Sequence, residues 1–118
     1  MAFNSTLNLQ AMEPLTPTRI LATAPGGGQT DLNTLLGFTA GQTIPFRKLW
    51  LKGNSNYQTK NTGTIYVGFG TGANTMQFEI LPGEEKEIVA PVGARLDLKD
   101  LSVEATGATD SLLVILYR

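Results

Sequence analysis

The sequence predicts an all-β fold, an antiparallel β-sandwich of about eight short strands. Three observations carry that prediction. Apolar residues alternate with polar ones in short runs: Ile65, Val67 and Phe69 share one parity, as do Met76, Phe78 and Ile80 in the next run. Side chains alternate faces along a strand, so each run offers one apolar face. Turn signals rich in Gly, Pro, Asn and Asp recur at a spacing of roughly ten residues, and no helical periodicity of useful length interrupts them.

In chain order, residues 1–17 differ from the rest. Asn4, Ser5, Thr6, Asn8 and Gln10 are interspersed with the spaced apolar residues Phe3, Leu7, Leu9 and Met12, and Pro14 and Pro17 close the segment. The prolines discourage helix and favour extended chain. An extended N-terminal arm is expected, with β character over residues 6–10, ahead of a sandwich domain over residues 18–118. Large, spaced apolar residues need a surface to be buried against, and docking on a neighbouring chain supplies one. Phe3, Leu7 and Leu9 are therefore candidate contact residues.

Residues 18–23 read as a strand, and the Ala24-Pro25-Gly26-Gly27-Gly28-Gln29 stretch as a loop. Residues 31–36 have room for one helical turn and no more. Residues 44–52 read as one strand, with Leu49 and Leu51 alternating against Lys48, Trp50 and Lys52. Turns at 53–56 and 61–63 lead to the hairpin of residues 64–69 and 76–81. Further strands are expected at 85–90, 94–99, 101–105 and 112–117, separated by Pro91-Val92-Gly93 and by the turn at 106–110. The last strand is apolar on both parities, which marks a strand that is central or covered on both faces.

At 118 residues the chain is the size of one domain. Its 42% apolar content is enough for a core without metal or disulfide staples. Charged residues are only 16%, against about 25% in an average globular protein. Two explanations stand side by side: a surface made to be covered by partners, or threonine-rich strands with hydroxyls facing water. Net charge is −1, and Arg47, Lys48 and Lys52 are the one local basic cluster, which argues against phosphate-backbone binding. Cysteine is absent, so disulfides and thiolate sites are excluded and a reducing compartment fits. No basic segment precedes an apolar block at the N-terminus, so no signal peptide is expected. The longest apolar run, residues 112–117, is too short for a membrane span.

The chain offers little to catalysis. Histidine is absent, which removes the usual general base and the commonest zinc ligand. None of Ser5, Ser55, Ser102 and Ser111 lies in a Gly-x-Ser-x-Gly turn. Gly68-Phe69-Gly70-Thr71-Gly72-Ala73 matches a dinucleotide fingerprint in form, but a strand pattern follows it where a helix must hold the pyrophosphate. Gly26-Gly27-Gly28 lacks the lysine of a phosphate loop. The carboxylates Glu84, Glu85, Glu87, Asp97, Asp100, Glu104 and Asp110 lack calcium-loop spacing. A hydrolase built on them needs two to converge in one cleft. Glu84–Glu87 is more simply a solvated edge that discourages stray strand pairing. No catalytic, cofactor or metal residue is therefore assigned.

Trp50, Tyr57 and Tyr66 remain. Trp50 falls on the outward parity of its strand; it either packs beneath a loop or anchors an interface. Together with Tyr57 and Tyr66 it would also make a sugar-binding platform. Trp50 and Tyr66 join the candidate partner-contact residues.

The segment from Lys52 to Arg118 resembles small β-sandwich virion proteins of tailed bacteriophages. The resemblance lies in Asn61-Thr62-Gly63-Thr64-Ile65-Tyr66-Val67-Gly68, in Leu81-Pro82-Gly83-Glu84, and in the terminal strand Leu112-Leu113-Val114-Ile115-Leu116-Tyr117. That family includes capsid decoration or cement proteins and head-fibre or tail modules. The resemblance implies a jelly-roll-like sandwich, often a homotrimer, on the capsid surface of a virion assembled in the host cytoplasm. It further implies a non-enzymatic role in clamping the major capsid protein, without cofactor, nucleic acid or membrane. The alternative it leaves open is a carbohydrate- or receptor-binding module of a tail or head fibre.

Overall fold

The computed structural model describes residues 29–70 and 78–118, and the backbone of residues 19–23. The strands are β1 (Arg19–Thr23), β2 (Thr30–Asp31), β3 (Pro45–Phe46), β4 (Lys48–Gly53), β5 (Ile65–Phe69), β6 (Phe78–Ile80), β7 (Glu85–Val89), β8 (Leu96–Asp97), β9 (Leu101–Ala105) and β10 (Ser111–Tyr117). One short helix, α1 (Leu32–Leu35), follows β2. The predicted arm, with Phe3, Leu7 and Leu9, lies outside the described residues.

Two four-stranded antiparallel sheets form, in the orders β1-β10-β4-β7 and β2-β9-β5-β6. From β1 to β2, β4, β5-β6, β7, β9 and β10 the chain passes repeatedly from one sheet to the other. That is the two-Greek-key order of a jelly roll. The all-β sandwich expected from alternation is therefore the fold, with the short ladder β3–β8 added at its side.

The inward parities meet in one core. Leu49 and Leu51 of β4 and Leu112, Val114 and Leu116 of β10 pack against Ile65, Val67, Ile80, Leu101, Val103 and Ala105 of the facing sheet. In register, Val114 opposes Leu51 and Leu116 opposes Leu49, while Val67 opposes Val103. Each fully buried Leu, Ile or Val side chain contributes about 1.5–3 kcal/mol, so this stripe is what holds the sheets together. Strand β10 lies between β1 and β4, the central position its composition predicted. The β5–β6 hairpin pairs Ile65 with Ile80, both fully buried. At its far end Phe69 and Phe78 are 38% and 40% exposed, so its apolar parity outruns the core.

Two predicted strands are built differently. Residues 44–52 divide at Arg47: β3 pairs with β8, whereas β4 pairs with β10 and β7. Arg47 N–H donates to Tyr117 O at 2.8 Å, and Ala90 N–H donates to Arg47 O at 2.8 Å, so the main ladder starts there. The buried residues change parity across this point, from Ile44 and Phe46 to Leu49 and Leu51. Residues 94–99 are a strand only at Leu96–Asp97, followed by the 3-10 turn Leu98–Asp100. The Asp97 side chain accepts from Lys99 N–H at 3.1 Å and from Ile44 N–H at 3.0 Å. A carboxylate bonded to nearby backbone competes with a sheet ladder, and the turn sends Leu98 into the core.

Both turn motifs singled out in the sequence are locks between elements. Leu81-Pro82-Gly83-Glu84 is a turn closed by Glu84 N–H to Leu81 O at 2.9 Å, with Gly83 at φ 81. Proline second and a positive-φ glycine third are the signature of a type II turn. It seats against Gly53, where Gly53 N–H reaches Glu84 O and Gly83 N–H reaches Gly53 O, each at 3.0 Å. A Cβ at Gly53 would lie 2.4 Å from Leu81 O, so no side chain fits there.

Near the other motif, Asn61 acts as a surrogate strand. Its side chain donates to Ser111 O at 2.9 Å and accepts from Ser111 N–H at 2.7 Å. Buried Asp110 accepts from Thr62 N–H at 2.9 Å and from Gly63 N–H at 2.8 Å.

These locks set two expectations for urea unfolding. Asp110→Ala leaves two backbone donors without acceptors and is expected to cost about 1–3 kcal/mol, with Asp110→Asn milder. Leu51→Ala opens a core cavity and is expected to cost about 2–5 kcal/mol. A wild-type midpoint for Asp110→Ala would show that the end lock contributes nothing.

Candidate partner-docking face

The sandwich presents two outer faces of different chemistry. On the β1-β10-β4-β7 sheet the outward rows are Leu113–Lys52–Glu85, Ile115–Trp50–Glu87 and Tyr117–Lys48–Val89, read across β10, β4 and β7. Leu113, Ile115, Tyr117 and Trp50 are half-buried there without belonging to the core. They form an apolar stripe down β10 and β4, bordered by lysines and by glutamates on β7.

Polar contacts hold this face in one arrangement. Trp50 Nε1–H donates to Glu85 Oε1 at 2.8 Å. Lys48 Nζ lies 3.1 Å from Glu87 Oε1 and 5.1 Å from the centre of the Tyr117 ring. Exposed pairs of this kind contribute at most about 1 kcal/mol each. They orient the aromatic rings more than they stabilise the fold. Strand β7 is the edge of this sheet, and its exposed Glu85 and Glu87 fit the predicted charged edge.

At the Lys48–Val89–Tyr117 end the face runs into an open groove of about 510 Å³. The turn after β7 forms its other wall: Ala94 N–H closes on Pro91 O at 2.9 Å and holds Val92 out at the tip. Val92 is fully exposed and Val89 is 61% exposed. Arg47, Lys48 and Arg95 line the same groove.

Tyr66 lies on the opposite outer face. It is flanked by Glu79 of β6 and Glu104 of β9, and Asp31 opposes Ser102 further along the same face. Trp50 and Tyr66, grouped as contacts in the sequence reading, are thus on opposite sides of the sandwich, and one flat partner surface cannot touch both. Tyr57 stands apart from Trp50's sheet on the β4–β5 loop, 89% exposed.

The groove residues Val89, Val92 and Arg95 escaped sequence reasoning, whereas Tyr117 lies in the terminal strand that it marked as central or covered on both faces. A signal was present in Val92, an apolar residue at the tip of a proline-glycine turn. Another was the outward parity of Val89 against Ile88.

Among the described residues no cluster of three or more His, Cys, Asp or Glu side chains can hold a metal ion. No protein-family model, no curated protein and no solved structure matches the chain.

Trp50 is the single tryptophan, so fluorescence excited beyond the tyrosine absorption band reports on this face alone. Acrylamide is expected to quench the folded protein to a degree between that of a buried indole and that of the urea-unfolded chain. Glu85→Gln, which weakens the indole hydrogen bond, is expected to shift the emission without altering the unfolding midpoint by more than about 1 kcal/mol. Emission indifferent to acrylamide would contradict the outward placement.

Proposed function

We propose that the chain is a non-enzymatic structural protein of a tailed-phage virion that binds the assembled capsid and stabilises it. The observation that carries this reading is the apolar stripe Leu113, Ile115, Trp50 and Tyr117 on a sheet face that the core does not use. Its aromatic rings are held in place beforehand by Glu85 and Lys48, which lowers the ordering cost of docking. Jelly rolls serve as viral capsid domains and as lectin domains. The fold therefore accommodates this role, and the surface is what favours it.

Such a protein needs no reactive centre. By binding the assembled shell and not its separated subunits, it shifts the equilibrium toward the shell. The proposed partner is the major capsid protein, and the proposed form is a homotrimer. Symmetric copies joined through weak contacts gain avidity from simultaneous engagement.

Co-sedimentation with empty capsids of the virus that carries this gene tests the reading. The protein is expected to pellet with assembled shells, to raise their disruption temperature, and to remain in solution with unassembled capsid protein. Trp50→Ala combined with Tyr117→Ala is expected to weaken attachment by at least about tenfold, the scale of losing interface anchors. Deleting residues 2–12 is expected to weaken it as well while the β-rich circular dichroism spectrum persists. Protein that never pellets with intact shells rejects the capsid role.

One observation favours the second reading, a carbohydrate- or receptor-binding module of a fibre: the Tyr57 ring is almost entirely open to solvent. That reading predicts glycan-array binding that disappears in Tyr57→Ala. A blank array removes it.

A further inference from the structure

The charges around the groove beside β7 already have partners. Lys48 Nζ lies 3.1 Å from Glu87 Oε1, Arg47 Nε–H donates to Arg118 O at 3.2 Å, and an Arg95 guanidinium N–H donates to Ala94 O at 3.1 Å. What the described residues leave uncovered there is apolar: Val92 is fully exposed and Val89 is 61% exposed. A charged occupant would give up water and disturb settled contacts, which costs free energy. Apolar side chains gain by leaving water. The groove therefore suits an uncharged segment that carries apolar residues.

The chain contains such a segment, and it enters at the same end of the sandwich. No side chain before Glu13 is charged. Over residues 3–11, Phe3, Leu7, Leu9 and Ala11 share one parity with Ser5, and Asn4, Thr6, Asn8 and Gln10 fill the other. An extended chain of this pattern has one apolar and one polar side. Strand β1 starts at Arg19, opposite Ile115 and so two positions along β10 from Tyr117, which lines the groove. Strands β1 and β7 are the two edges of their sheet, three strand spacings or about 14 Å apart. Residues 13–18 reach up to about 20 Å when extended, and Pro14 and Pro17 favour that form. This connection is long enough to bring residues 3–11 to Val89 and Val92. It is also short enough to keep them there at high local concentration.

We propose that the groove is the seat of the chain's own N-terminal segment. Residues 3–11 lie in it in extended form, with Leu7 and Leu9 against Val89 and Val92 and with Asn8 and Gln10 toward water. The tether selects the same chain over a second copy, because a linked segment of equal chemistry outcompetes a separate one. The inference concerns the protein by itself and stands apart from the capsid reading.

The test uses the full-length chain. It has no cysteine, so Asn8→Cys supplies a unique site for a nitroxide label on the polar side of the segment. In isotope-labelled protein the nitroxide is expected to broaden the backbone resonances of Val89 and Gly93 and to leave Tyr66, on the opposite outer face, sharp. The broadening is expected to persist when the labelled chain is mixed in urea with an excess of unlabelled chain and refolded. Val92→Asp, at a fully exposed position, and Leu7→Ser combined with Leu9→Ser are each expected to abolish it while the β-rich circular dichroism spectrum persists. These variants act on opposite sides of one contact, so a folding defect in one leaves the other as the test. Sharp Val89 and Gly93 resonances in the labelled parent overturn the proposal. Broadening centred on Trp50 and Leu113 also overturns it, by placing the segment on the outer stripe. Broadening lost on dilution assigns the groove to a second copy's segment and overturns it equally. Broadening that survives both variants shows that the apolar contact does not hold the segment, and rejects the proposal as well.

Discussion

Strand β10 is apolar on both of its faces, and among the described residues the core takes only one of them. Leu112, Val114 and Leu116 enter the core, where Leu49 and Leu51 oppose two of them in register. Leu113, Ile115 and Tyr117 face the other way. Because strand side chains alternate strictly, burying the first set dictates the position of the second. A one-residue slip would exchange the two sets without relieving either. The core and the outer stripe are thus consequences of one constraint, and the proposed partner face is the part of β10 that folding leaves over.

What fixes β10 against slipping is polar and sits at its ends. Asn61 bonds both backbone groups of Ser111, and Asp110 gathers the turn at Thr62 and Gly63. At the other end Tyr117 O accepts from Arg47 N–H, where the chain changes from β3 to β4. The Leu81–Glu84 turn, pressed on Gly53, ties the second sheet to the first as the chain crosses from β6 to β7. Two of the motifs singled out in the sequence are therefore devices of jelly-roll geometry. They bear on fold, and the functional reading rests on the surfaces.

Period-two alternation was legible wherever one face is buried, which is why β5 and β9 stand where the residues placed them, whereas β10 was legible as a run apolar on both parities. Legibility failed where a side chain competes with the ladder or where the chain changes partners. Asp97 turns residues 98–100 away from a strand. Arg47 divides a run that reads as continuous, although the parity change from Phe46 to Leu49 was visible. Of the candidate contacts, Trp50 was placed outward on the correct face. Its separation from Tyr66 depends on which strands share a sheet, and parity within a strand carries no such information. The groove was hidden for the same reason, because Arg47, Val89, Arg95 and Tyr117 come from three distant stretches of sequence.

The two outer faces provide an internal control, since an apolar stripe with Trp50 backs onto an acidic face with Tyr66. Hydroxyl-radical footprinting of the protein, free and on assembled shells, compares them in one experiment. Protection of Trp50, Ile115 and Tyr117 with Tyr66 oxidised as before is the predicted result. Protection of Tyr66 while Trp50 and Tyr117 remain as reactive as in free protein would contradict the claim that the uncovered side of β10 is the docking face.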